Sequence, residues 1–158
     1  MAETKSQDAI ALLKEDHRAV EKLFKEFENA KGDGRKQKLA QRICLELTIH
    51  TKIEEEIFYP AFRQARDDSE NEKIYFESLE EHRAAGGLVL PDLQKTPVDS
   101  EKFGGRAKVL KELIEHHADE EEEEMFERAR KIFPEDELEA LGEQLEKRKK
   151  ELMKELGP

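Results

Sequence analysis

The sequence predicts an all-α protein: an up-down four-helix bundle, made of one helical hairpin used twice with pseudo-twofold symmetry, plus a C-terminal fifth helix. Three observations predict it. Charged residues make up 42% of the 158 and aromatics only 6%, a balance that suits long amphipathic helices better than a sheet. Apolar residues recur at steps of three and four along most of the chain. Finally, the chain has only five histidines, and His17 and His50 recur as His82 and His117 at nearly equal offsets. His50 is followed four residues later by Glu54, and His117 by Glu121.

Thr4 or Ser6 can cap the first helix, Thr4 with Gln7 having the spacing of a capping box. Its stripe reads Ile10, Leu13, His17, Val20, Phe24, Phe27, and Gly32-Asp33-Gly34 supplies a turn. The second helix, from about 35 to 66, carries Ile43, Leu47, His50, Glu54, Ile57 and Ala61 on one stripe. Pro60 predicts a kink or early end just beyond the polar pair. Ser69 with Glu72 offers another capping box, and Tyr75, Leu79, His82, Gly86 and Val89 form the third stripe, closed by Pro91. A connection over 91–99 leads to a fourth helix from about Ser100, weakened in its first turn by Gly104-Gly105. Its stripe is Phe103, Ala107, Leu110, Ile114, His117, Glu121. Pro134 suits the first position of a fifth helix, whose Leu138, Leu141, Leu145 and Leu152 make a narrow edge that packs on the outside of the bundle. The simplest organisation is one domain over 1–158, with the bundle at about 7–133 and the last helix at about 134–156.

A formal net charge of −11 disfavours nucleic acid and anionic membranes, which need clustered positive charge. One cysteine, Cys44, allows no intrachain disulfide. The polar amino terminus carries no apolar signal region, and no apolar run approaches the ~20 residues of a membrane span. The expectation is a soluble, cytoplasmic protein.

On four packed helices the histidines and the two glutamates meet near mid-bundle. An unpaired buried carboxylate costs several kcal/mol or takes up a proton, so this many polar groups need something to satisfy them. Imidazole and carboxylate suit iron, manganese or zinc, and six ligands exceed one tetrahedral zinc but fit two carboxylate-bridged metals. The reading is a pair of iron ions, bridged by Glu54 and Glu121, with His17, His50, His82 and His117 as terminal ligands.

Asp16-His17-Arg18, the run from His50 to Pro60, Glu81-His82, and His117 through Phe126 together resemble the hemerythrin-like, or HHE cation-binding, domain family. The resemblance covers roughly 8–133. It implies a non-haem di-iron centre that binds dioxygen, reacts with oxygen, hydrogen peroxide or nitric oxide, or senses iron and oxygen. The chain departs from the oxygen carriers in having Gly86 where they place a second third-helix histidine, which leaves more open coordination positions. It also has Phe126-Glu127 where a phenylalanine-proline often stands, an expectation of a straighter fourth helix.

Two readings of function share this centre. One is a di-iron oxidoreductase, catalase- or peroxidase-like or related to nitric oxide, in oxidative or nitrosative stress handling. The other is a non-enzymatic module that binds or senses oxygen, nitric oxide or iron. A closed structural zinc site is disfavoured because it usually takes four ligands with cysteine among them. His116, about 100° around the helix from His117, reads as a flanking residue. Glu124 reads as a solvated bundle end, Tyr75 as core, Cys44 as packing, and Tyr59 as lying opposite His50, away from the metals.

Overall fold

Asp8 opens the first helix, its Oδ1 accepting from the Ala11 N–H at 2.8 Å, in a computed structural model that describes residues 7–158. Thr4 and Ser6 lie outside the described residues. Helix α1 spans Ala9–Asn29. Gly32, at φ 87°, makes the turn into α2, a left-handed backbone that favours glycine. Helix α2 runs through Asp33–Ile53, a π turn at Glu54–Phe58 and Tyr59–Ala65.

Asp68, rather than Ser69, caps α3 by accepting from the Asn71 N–H. Helix α3 comprises Ser69–His82, a π turn at Arg83–Val89 and Leu90–Gln94. Pro91 therefore does not close it: the ring sits at the start of the segment after the π turn, where a missing N–H is tolerated. Helix α4 begins under a Ser100 cap and passes through Glu101–Glu120, a π turn at Glu121–Met125 and Phe126–Ile132. Gly104 and Gly105 do not interrupt it. Helix α5 is Glu135–Leu156, with Pro134 one position earlier than expected, at its cap.

The core divides into two apolar clusters with a polar layer between them. Toward one end lie Ile10, Leu13, Ile53, Phe58, Phe62, Met125 and Phe126; toward the other lie Val20, Phe24, Ile43, Leu47, Leu90, Phe103 and Leu110. The buried histidines and glutamates sit in the layer that separates them, one histidine from each of α1 to α4. Helix α5 packs against α1 and α2, closely enough that a Cβ on Gly142 would overlap the Gln7 carbonyl. No helix among the described residues is long and apolar enough to cross a membrane.

Candidate metal centre

The four buried histidines stand on regular α-helix, and the π turns of α2 and α4 begin at the glutamate of each polar pair. The Glu54 N–H still bonds the His50 carbonyl, whereas the Tyr59 N–H reaches back five residues to Glu54. In α4 the Phe126 N–H likewise reaches Glu121. Each π turn inserts about one extra residue, so side chains beyond it rotate by about 100° relative to an unbroken helix. The fourth helix has this turn without a proline, so the ring is not what imposes it.

All six predicted residues come together, each 7% exposed or less. His17, His50, Glu54 and Glu121 form one set, and His82, His117, Glu54 and Glu121 a second, with one donor atom per residue inside 4.8 Å of the others in each. The glutamates belong to both. Glu54 Oε1 lies 3.0 Å from His50 Nε2 and 3.1 Å from His82 Nε2, while Glu121 lies 3.1 Å from His17 Nε2 and 3.2 Å from His117 Nε2.

Every imidazole thus points Nε2 inward, and every Nδ1 is held by a carboxylate from outside the layer. His50 Nδ1 meets Asp16 at 2.9 Å and His117 Nδ1 meets Glu81 at 2.9 Å. His17 Nδ1 meets Glu122 at 2.9 Å and His82 Nδ1 meets Glu55 at 3.3 Å. Such partners fix ring orientation and raise ligand basicity. Asp16 also accepts from Lys149 of α5 at 2.5 Å, and Glu122 is bonded by Arg18. These outer carboxylates follow the repeat: the residue before each hairpin's first histidine serves its second, and the residue after each glutamate serves the other hairpin's first. Adjacency to the motif residues was the available signal, and sequence reasoning missed it.

Electrostatics binds the layer together. Burial alone would lower the His117 pKa, but Glu121 and Glu81 raise it from 6.5 to about 10. His50 is raised well above its ordinary value, Glu54 and Asp16 overcoming burial. Glu121 is held well below the carboxylate range despite its burial, chiefly by His117. Protons here occupy places a cation would take.

A metal fits this donor set on a direct observation. Among the described residues, the buried side-chain atoms without a hydrogen bond are His17 Nε2, His50 Nε2, Glu54 Oε2 and Glu121 Oε1; all four belong to the first set, where the two histidine nitrogens meet the glutamates only as close ion-pair contacts. The second set is satisfied by a residue placed away from it in the sequence reading. The Tyr59 hydroxyl lies 2.5 Å from Glu121 Oε2, 3.0 Å from His82 Nε2, 3.3 Å from His117 Nε2 and 3.4 Å from Glu54 Oε1. The π turn corrects that reading, since it swings Tyr59 off the opposite face. Burial, with Glu121 and Glu54 alongside, lifts its pKa well above 10.0.

The other expectations fall outside the layer. His116 is 65% exposed and sits by Glu81 and Glu120 on the surface. Glu124 is exposed, Tyr75 packs at the edge of the core under Arg63, and the buried Cys44 thiol is pushed up to about 11 by burial. Above the layer, on the side away from Tyr59, a cavity of about 30 Å³ is lined by His17, His50, His82 and His117 together with Phe24, Leu47, Gly86, Leu110 and Ile114.

The family model of the hemerythrin HHE cation-binding domain matches residues 8–129. A crystal structure of an HHE cation-binding domain-containing protein from Mycobacterium kansasii, described as an Rv2633c homolog, is similar with a TM-score of 0.80 and 28% identity, over 92% of this chain and 87% of that one. A DNA nickase from Nostoc sp. is 24% identical over 151 residues, 96% of this chain but only 41% of the relative's length. With the family model matched across α1 to α4 and its buried His and Glu residues gathered in one layer, the chain belongs to the hemerythrin HHE cation-binding domain family.

Proposed function

We propose that the layer holds a bridged pair of iron ions and that the protein reacts with hydrogen peroxide, dioxygen or nitric oxide, most directly as a peroxide-handling oxidoreductase in oxidative or nitrosative stress. His17 and His50 would hold one ion, His82 and His117 the other, and Glu54 and Glu121 both. The observation that carries this reading is the inward turn of four Nε2 atoms around two glutamates, each shared by both sets. A bound iron pair supplies one- and two-electron exchange with small oxidants.

The chain's own residues do the rest. Asp16, Glu55, Glu81 and Glu122 hold the imidazoles in orientation. Tyr59, within reach of every donor of the second set, is a further ligand or a hydrogen-bond donor to Glu121. Phe24, Leu47, Leu110 and Ile114 keep the cavity dry, and its volume admits only molecules of a few atoms. Gly86 adds no imidazole, so it leaves room for a ligand that turns over rather than one held reversibly. DNA nicking is not carried over from the Nostoc relative, because a net charge of −11 opposes a phosphate backbone.

The test is oxygen evolution from peroxide by the iron-loaded protein. Sustained evolution that Glu54→Ala abolishes supports the enzyme. Two irons without turnover instead favour a module that binds or senses oxygen or nitric oxide.

A further inference from the structure

The cavity above the polar layer does not end inside the bundle. Leu47, Thr51, His82, Gly86 and Leu90 line it from within, and the same five residues line a groove on the outer surface between α2 and α3. The two spaces therefore abut at one place, where α3 makes its π turn at Arg83–Val89. A Cβ built on Gly86 would meet nothing within 4 Å, so the glycine is not there to let two backbones pack. Gly86 thus places no side chain between the cavity and the groove, whose rim carries Thr48, Lys52, Glu55 and Arg83. Between α1 and α4, where Glu21 and Glu115 line the cavity wall, the bulky Phe24 and Ile114 stand beside them.

We infer that Gly86 is the threshold of an access route from the α2–α3 groove to the metal pair, and that its missing side chain sets the largest ligand that passes. The molecules admitted are those of a few atoms, in keeping with the cavity of about 30 Å³. The inference rests on the metal-centre reading above, and it goes beyond it by assigning a path and a size-determining residue.

Cobalt(II)-loaded protein and azide provide a test that needs no turnover. Cobalt content per chain is measured first, and azide association and dissociation are then followed by stopped-flow absorbance. Gly86→Leu is expected to slow both rates by about tenfold or more, leaving Kd nearly unchanged, as a narrowed passage does and an altered site does not. Thr51→Leu, which narrows the same threshold from α2, is expected to slow both less, and covers the case in which Gly86→Leu fails to fold. Unchanged rates in the variants, or slowing by Ile114→Phe alone, would overturn the route. Failure of the unaltered protein to bind cobalt would instead overturn the metal reading beneath it.

Discussion

Tyr59 and Phe126 occupy equivalent positions in the two hairpins, each directly after the π turn that starts at its glutamate, and each ring lies against a histidine of the other hairpin. Tyr59 stacks on His82 with centroids 5.1 Å apart and Phe126 on His17 at 5.9 Å. At this position the two halves of the site differ by one hydroxyl. It fills the second set of donors and leaves the first with its orphaned atoms.

Tyr59→Phe should keep the stack and the fold while removing that hydroxyl. With iron bound, the expected outcome is full metal content and loss of any tyrosinate-to-ferric charge-transfer band in the visible spectrum. Retention of the band would place its origin elsewhere.

Replacing a shared carboxylate should act on metal and fold together. Glu121→Ala, like His50→Ala, is expected to lower metal occupancy at least tenfold and to lower the Tm of the metal-loaded protein, because bound metal stabilises only the folded chain. His116→Ala should do neither, since its ring is 65% exposed. Metal analysis and thermal melts of the variants check both.

An outer partner should matter nearly as much as a ligand. Asp16 is buried, bonded to His50 and held below its usual pKa, His50 and Lys149 outweighing burial. Asp16→Asn is expected to cost about 10- to 100-fold in metal affinity, and Lys149→Met a smaller loss, read by chelator competition.

Stability of the metal-free protein should fall with rising pH. His117 titrates near 6.5 when unfolded and at about 10 when folded, so its protonated form favours the fold. That contribution is fully present below about pH 6.5 and is lost as pH rises through about 10. Melts of metal-free protein from pH 6 to 10 should show a declining Tm, and loaded protein a flatter profile, because metal replaces the proton.

The six donors were legible because none lies beyond the first residue of a π turn. Up to Glu54 and Glu121 the backbone keeps 3.6 residues per turn, so a four-residue interval means one face. Beyond those residues the phase slips, and for that reason Tyr59 read as opposite His50 although it touches both glutamates. Pro60 marked the disturbance without revealing its direction. The outer carboxylates were obscured for another reason: in a chain with 39 acidic residues, Asp16, Glu55, Glu81 and Glu122 look like an ordinary solvated face. Lys149 carried no local signal, since its contact with Asp16 depends on how α5 lies across α1 and α2.

Gly86→His gives a direct comparison with the oxygen carriers. A Cβ at this position meets nothing within 4 Å, so the backbone there accepts a side chain beside the cavity. The expected outcome is weaker peroxide turnover and a gain in reversible oxygen binding, followed by oxygen-dependent absorbance changes on cycling.

The central claim is that one buried layer holds two bridged metal ions. It is tested most directly by iron analysis combined with low-temperature Mössbauer spectra in weak and strong applied fields. About two irons per chain with a diamagnetic ground state, the signature of a coupled ferric pair, is the predicted result. One iron per chain, or two that are magnetically independent, would contradict it.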